Sequence, residues 1–95
     1  MEQRILLMHP AGKKAVSMDK DKYDVLKQAL LNFLKEAGES THTEILKTIT
    51  YNFRKNNIKF QGSVEWHLEW VKLDLEARNE ICRSNGKSPD TYRIT

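Results

Sequence analysis

The chain has 95 residues, of which 39% are hydrophobic and 31% charged, and a net charge of +3. That is one domain with one core and the composition of a soluble globular protein. The longest apolar run near the start, Ile5 to Met8, is too short to span a bilayer or to form a signal-peptide core, so neither a membrane anchor nor a secretory leader is expected.

Arg4 to Met8 reads as a strand, His9-Pro10-Ala11-Gly12 as a turn, and Ala15 to Met18 as a returning strand. Together they predict an N-terminal β-hairpin or arm over residues 1–18. Asp19 is a good N-cap, and Asp21 adds first-turn negative charge. From there Tyr23, Leu26, Leu30, Phe33, Leu34 and Ala37 recur at helical spacing, and Gly38 is the expected stop.

Glu39 to His42 is read as a short connector. Thr41 with Glu44 matches a capping box, and Ile45, Leu46, Ile49 and Phe53 give a second helix ending near Asn56-Asn57. Gln61-Gly62 predicts a turn, and Ser63 caps a third helix, followed by a short strand. Glu80 to Arg83 and Thr91 to Ile94 predict two strands around the loop-like stretch Ser84 to Asp90. Residues 19–79 are thus expected to carry three helices and residues 80–95 a hairpin, with no internal repeat.

The third helix is apolar on two sides. At about 100° per residue, Val64, Leu68, Val71 and Leu75 lie within roughly 40° of one line, which is an ordinary core stripe. Trp66, Trp70, Leu73 and Ala77 gather nearly opposite, and a helix apolar on both sides needs a cover on both. The arm is the first expectation for that cover. A homodimer contact is the second, because Trp is enriched at interface cores. A small-molecule pocket is the third, weakened by the absence of a convergent polar set.

Between the two apolar sides lie Glu65, Glu69, Lys72 and Glu76, read as a solvated face with Glu69 and Lys72 paired at i,i+3. Ser63 to Arg78 holds four acids against two bases, a local balance of −2 that leaves +5 for the rest of a +3 chain. Carboxylates repel phosphates, so this face is a poor reader of DNA bases.

The segments VKLDLEARNEI and TYRIT resemble the third helix and wing of winged-helix proteins. The whole chain is also similar to a family of short bacterial proteins of unassigned function, through His9-Pro10-Ala11-Gly12-Lys13 and the stretch Ser63 to Arg78. The resemblance implies a mainly α fold with small β content, a winged helix-turn-helix carrying an extra N-terminal arm. It implies no activity. By analogy with DNA-binding winged helices, Arg83, Lys87 and Arg93 would be wing contacts, Arg54, Lys55 and Lys59 would flank the helix, and Gln61 and Ser63 would be the neutral polar groups near its start. Such cations would give salt-sensitive backbone binding.

Other chemistry is sparse. His9, His42 and His67 lack metal-ligand spacing with one another or with Cys82, so no metal or cofactor is expected. His67 reads as a packed boundary histidine. Ser63 and His67 share a helical face without an orienting acid, so nucleophilic catalysis is not expected. Gly12-Lys13-Lys14 lacks the spacing of a phosphate loop. A single cysteine, Cys82, excludes an internal disulfide and fits a reducing cytoplasm. The leading expectation is a non-enzymatic regulatory-type module binding DNA through its basic wing and helix-2 end. The rival is a protein-interaction module, dimeric through Trp66, Trp70 and Leu73.

Overall fold

The computed structural model describes residues 3–84 and 89–95. Two strands, β1 (Arg4–Leu6) and β2 (Ser17–Asp19), form the arm hairpin. They pair antiparallel with Ile5 opposite Met18. Three helices follow: α1 (Lys20–Ala37), α2 (His42–Lys55) and α3 (Val64–Ala77). A two-residue strand β3 (Ser40–Thr41) sits between α1 and α2, and β4 (Ile81–Ser84) and β5 (Thr91–Ile94) close the chain as a wing-like hairpin. The fold is mainly α with small antiparallel sheets.

Each helix starts where its capping residue puts it. Asp19 accepts the Asp21 N–H at 2.9 Å. Thr41 and Glu44 form the full capping box, with Thr41 N–H donating to Glu44 Oε1 at 2.9 Å and Glu44 N–H donating to Thr41 Oγ1 at 3.2 Å. These contacts, the backbone one first, hold the Glu44 carboxyl below the usual carboxylate range. Ser63 accepts the Trp66 N–H at 3.1 Å.

The helix ends are equally local. Asn57 and Asn79 take positive φ, 56° and 62°. After α2, Asn57 N–H reaches Arg54 O and Ile58 N–H reaches Phe53 O; after α3, Asn79 N–H reaches Glu76 O and Glu80 N–H reaches Leu75 O. This double bond pattern is the Schellman stop, which Asn tolerates because its short polar side chain lowers the left-handed penalty. It stops α3 at Ala77, just inside the expected limit at residue 79, and β4 begins two residues after Asn79.

The connector between α1 and α2 is also more ordered than its composition suggests. Ser40 and Thr41 pair with Tyr92 and Thr91, so β5 lies between β3 and β4 in a three-stranded sheet. The pairing depends on a partner fifty residues away, which no local signal carries. Helix α1 packs on α2, α3 and β5. The core joins Leu26, Leu30 and Leu34 of α1 to Ile45, Ile49 and Phe53 of α2, and to Leu68, Val71 and Leu75 of α3. Leu7 and Met18 bring the arm into the same core, and Ile81 and Tyr92 bring in the hairpin.

Candidate interaction face and basic clusters

The core stripe of α3 behaves as its spacing predicts: Leu68, Val71 and Leu75 are fully buried. The opposite side is only partly covered. Trp70 and Leu73 are half-buried, and Trp66 remains 47% exposed. The arm reaches Trp70, where the His9 ring meets the indole edge-on with centroids 6.5 Å apart. The arm is thus the cover for Trp70 and leaves Trp66 at the surface.

Trp66 belongs to a row of rings. Its centroid lies 6.4 Å from Trp70 and 4.9 Å from His67; His67 stands edge-on to Phe60 at 5.0 Å, and Phe60 stacks on Phe53 at 5.9 Å. Aromatic pairs in such offset and edge-on geometries add about 1 kcal/mol each beyond their area, so Trp66 is a held side chain. His67 is fixed further by its Nδ1–H donating to the Ser63 carbonyl at 2.6 Å. Gly62 at φ +90° allows this approach, since a Cβ there would sit 3.2 Å from His67 Cε1. The Ser63 hydroxyl is occupied as the α3 cap, and His67 is the packed boundary histidine that the sequence suggests.

The polar side of α3 is divided rather than uniform. The Glu65 and Glu69 side chains are 66% and 50% exposed, with His42 Nε2 3.6 and 3.9 Å from their carboxylates. Lys72 is instead 1% exposed, which corrects its reading as part of a solvated face. Its Nζ pairs with Glu69 Oε1 at 3.2 Å, as the i,i+3 spacing predicts, and sits 4.1 Å over the Tyr92 ring. Burial pushes the Lys72 ammonium below its ordinary pKa, and Glu69 opposes that shift. The cause is tertiary: the β4–β5 hairpin lies along this side and covers it.

A buried carboxylate missed by the sequence reading ties the arm to the bundle. Asp74 is fully buried. Its Oδ1 accepts the Met8 N–H at 2.8 Å, its Oδ2 accepts the Tyr23 hydroxyl, and Arg78 Nε donates to both oxygens at 3.0 and 2.9 Å. Burial, then the Asp74 contact, pushes the Tyr23 hydroxyl well above its ordinary pKa of 10.0. The one local hint was the i,i+4 spacing of Asp74 and Arg78.

The expected nucleic-acid contacts fall into two groups. Arg54 and Lys55 stand exposed in the last turn of α2, with Lys59, Gln61 and Ser63 exposed beyond it. On the hairpin, Arg93 is exposed, but Arg83 is engaged: Nη2 lies 3.4 Å from Glu76, Nη1 lies 3.7 Å from Asp90, and the guanidinium carbon is 5.4 Å from the Tyr92 ring. Lys87 lies outside the described residues. Among the described residues no group of three His, Cys, Asp or Glu is placed to hold a metal. No helix among them is long and apolar enough to cross a membrane.

The chain matches the model of a family of unknown function (DUF6958) over residues 4–92. The match takes in the arm, all three helices and most of the hairpin, and it fits the expected likeness to a family of unassigned function. No curated protein and no solved structure matches the chain.

Proposed function

We propose that this chain, which belongs to the family of unknown function DUF6958, is a non-enzymatic, cytoplasmic protein-interaction module of winged-helix type. The winged-helix reading is supported by the order α1–β3–α2–α3–β4–β5 and by β5 pairing with both β3 and β4. The observation that carries the interaction reading is Trp66. It is 47% exposed on the third helix and held in a row of rings, and the same helix carries the exposed Glu65 and Glu69. Trp is, with Tyr and Arg, among the side chains enriched at the energetic centres of protein interfaces. The same surface is where a winged helix would meet DNA, and two carboxylates there repel phosphates.

DNA binding is the second reading, favoured by the exposed Arg54, Lys55 and Lys59 at the α2 end and by Arg93 on the hairpin. It is weakened at Arg83, whose guanidinium already faces Glu76 and Asp90.

Two measurements test the choice. A photo-cross-linking amino acid replacing Trp66 is expected to give a discrete protein adduct in cells, and the same group replacing exposed Tyr51 is expected to give none. Duplex DNA is expected to show no binding tighter than about 100 µM at ~50 mM salt. Tighter, salt-sensitive binding that disappears in an Arg54→Ala/Lys55→Ala/Lys59→Ala variant would overturn the interaction reading in favour of the DNA reading.

A further inference from the structure

The exposed apolar surface on this side extends beyond Trp66. Leu6, Met8 and His9 line a groove of about 430 Å³ in the arm, with Leu6 71% and Met8 45% exposed. His9 carries that groove onto Trp70, and Trp70 carries it to Trp66. The result is one apolar strip running from the arm along the first half of α3.

The two elements bring charges of opposite sign to this surface. On the arm, Lys13 and Lys14 line the same groove and are exposed. On α3, Glu65 and Glu69 are exposed, with His42 3.6 and 3.9 Å from their carboxylates and Lys72 on Glu69. Cations on the arm and carboxylates on α3 can match themselves after a two-fold rotation that sets the arm of each copy against α3 of the other. In a two-fold contact each residue of one copy meets its complement on the other, so both charge contacts form at once.

We propose that the occupant of this strip is a second copy of the same chain, bound about a two-fold axis with Lys13 and Lys14 of each copy facing Glu65 and Glu69 of the other. This rests on the reading of the Trp66 surface as protein-binding and names its partner. The two Trp66 side chains and the two arms cover one another, which supplies the cover that the arm of a single chain does not give Trp66.

The test is sedimentation of the full chain from about 10 µM to about 1 mM, a range that detects weak dimers. The unaltered chain is expected to shift from monomer to dimer within it. Trp66→Ala is expected to weaken the dimer at least about tenfold. Lys13→Glu/Lys14→Glu and Glu65→Lys, all at exposed positions, are each expected to be monomeric where the unaltered chain is dimeric. Mixed in equal amounts, those two charge variants are expected to regain a weaker dimer, because the mixed pair restores two lysines against two carboxylates at one of its two charge contacts.

A strict monomer at about 1 mM overturns the proposal. So does a dimer that survives Trp66→Ala and both charge variants, since it must use another surface. Failure of the mixed pair to recover overturns the two-fold charge pairing. A monomer whose Trp66 cross-linker still captures a different protein removes the second copy and leaves the interaction reading standing, whereas a monomer with no adduct removes both.

Discussion

Asp74 holds three chain segments at one point: the arm through the Met8 N–H, α1 through the Tyr23 hydroxyl, and its own helix through Arg78. Removing the Tyr23 hydroxyl takes one donor from a buried carboxylate, so Tyr23→Phe is expected to cost about 1 to 2 kcal/mol at neutral pH by urea unfolding. The alkaline limb gives a sharper readout. The folded pKa of Tyr23 lies above its ordinary 10.0. Its stabilisation is therefore fully present below pH 10 and is lost as pH rises beyond it, because the unfolded chain ionises first. Tyr92 is shifted the same way and remains in the variant. Tyr23→Phe should thus lose stability less steeply above pH 10 than the unaltered chain; equal slopes would show that the hydroxyl does not couple to folding. Asp74 illustrates what a sequence hides at this scale. An aspartate between Leu73 and Leu75 invites a surface reading unless the Tyr23 and Met8 donors, far away in sequence, are known to converge on it.

At the scale of elements, the helices are the most legible part of the chain, because their ends are set within a few residues. Asp19, Thr41 and Ser63 all cap where the sequence places them. The end of α3 is local too, since Asn79 carries the stop. The capping box of α2 makes a pH prediction. Two hydrogen bonds from Thr41 hold Glu44 below its ordinary 4.5. A depressed carboxyl stabilises above its unfolded pKa, and that contribution is lost as pH falls through the folded value. Below about pH 4.5 the unaltered chain should lose stability faster than Glu44→Gln, which has nothing to protonate there, as thermal melts from neutral pH to pH 3 would show. Parallel acid limbs would mean that the box does not couple to folding. Strand β3 was invisible because two residues carry no periodicity, and its existence depends on the open edge of β5.

For the whole molecule, the arm decides which side of α3 is surface. Leu7 is buried in the common core, Met8 donates to Asp74, and His9 meets Trp70. A chain lacking residues 1–16 is expected to unfold at lower urea and to show red-shifted tryptophan emission in its folded state, as Trp70 gains water and Asp74 loses a donor. An unchanged midpoint would show that the arm adds nothing to the core. The sequence by itself determined the mainly α class, the three helices with their caps, the two hairpins and the two-sided character of α3, because each follows from spacing and capping within a few residues. Only the tertiary structure decided that Lys72 and Asp74 are buried, that Arg83 is taken up by Glu76 and Asp90, and that the arm covers Trp70 but leaves Trp66 outside. Those outcomes depend on which distant elements meet, since burial and charge pairing belong to the neighbours a side chain acquires on folding.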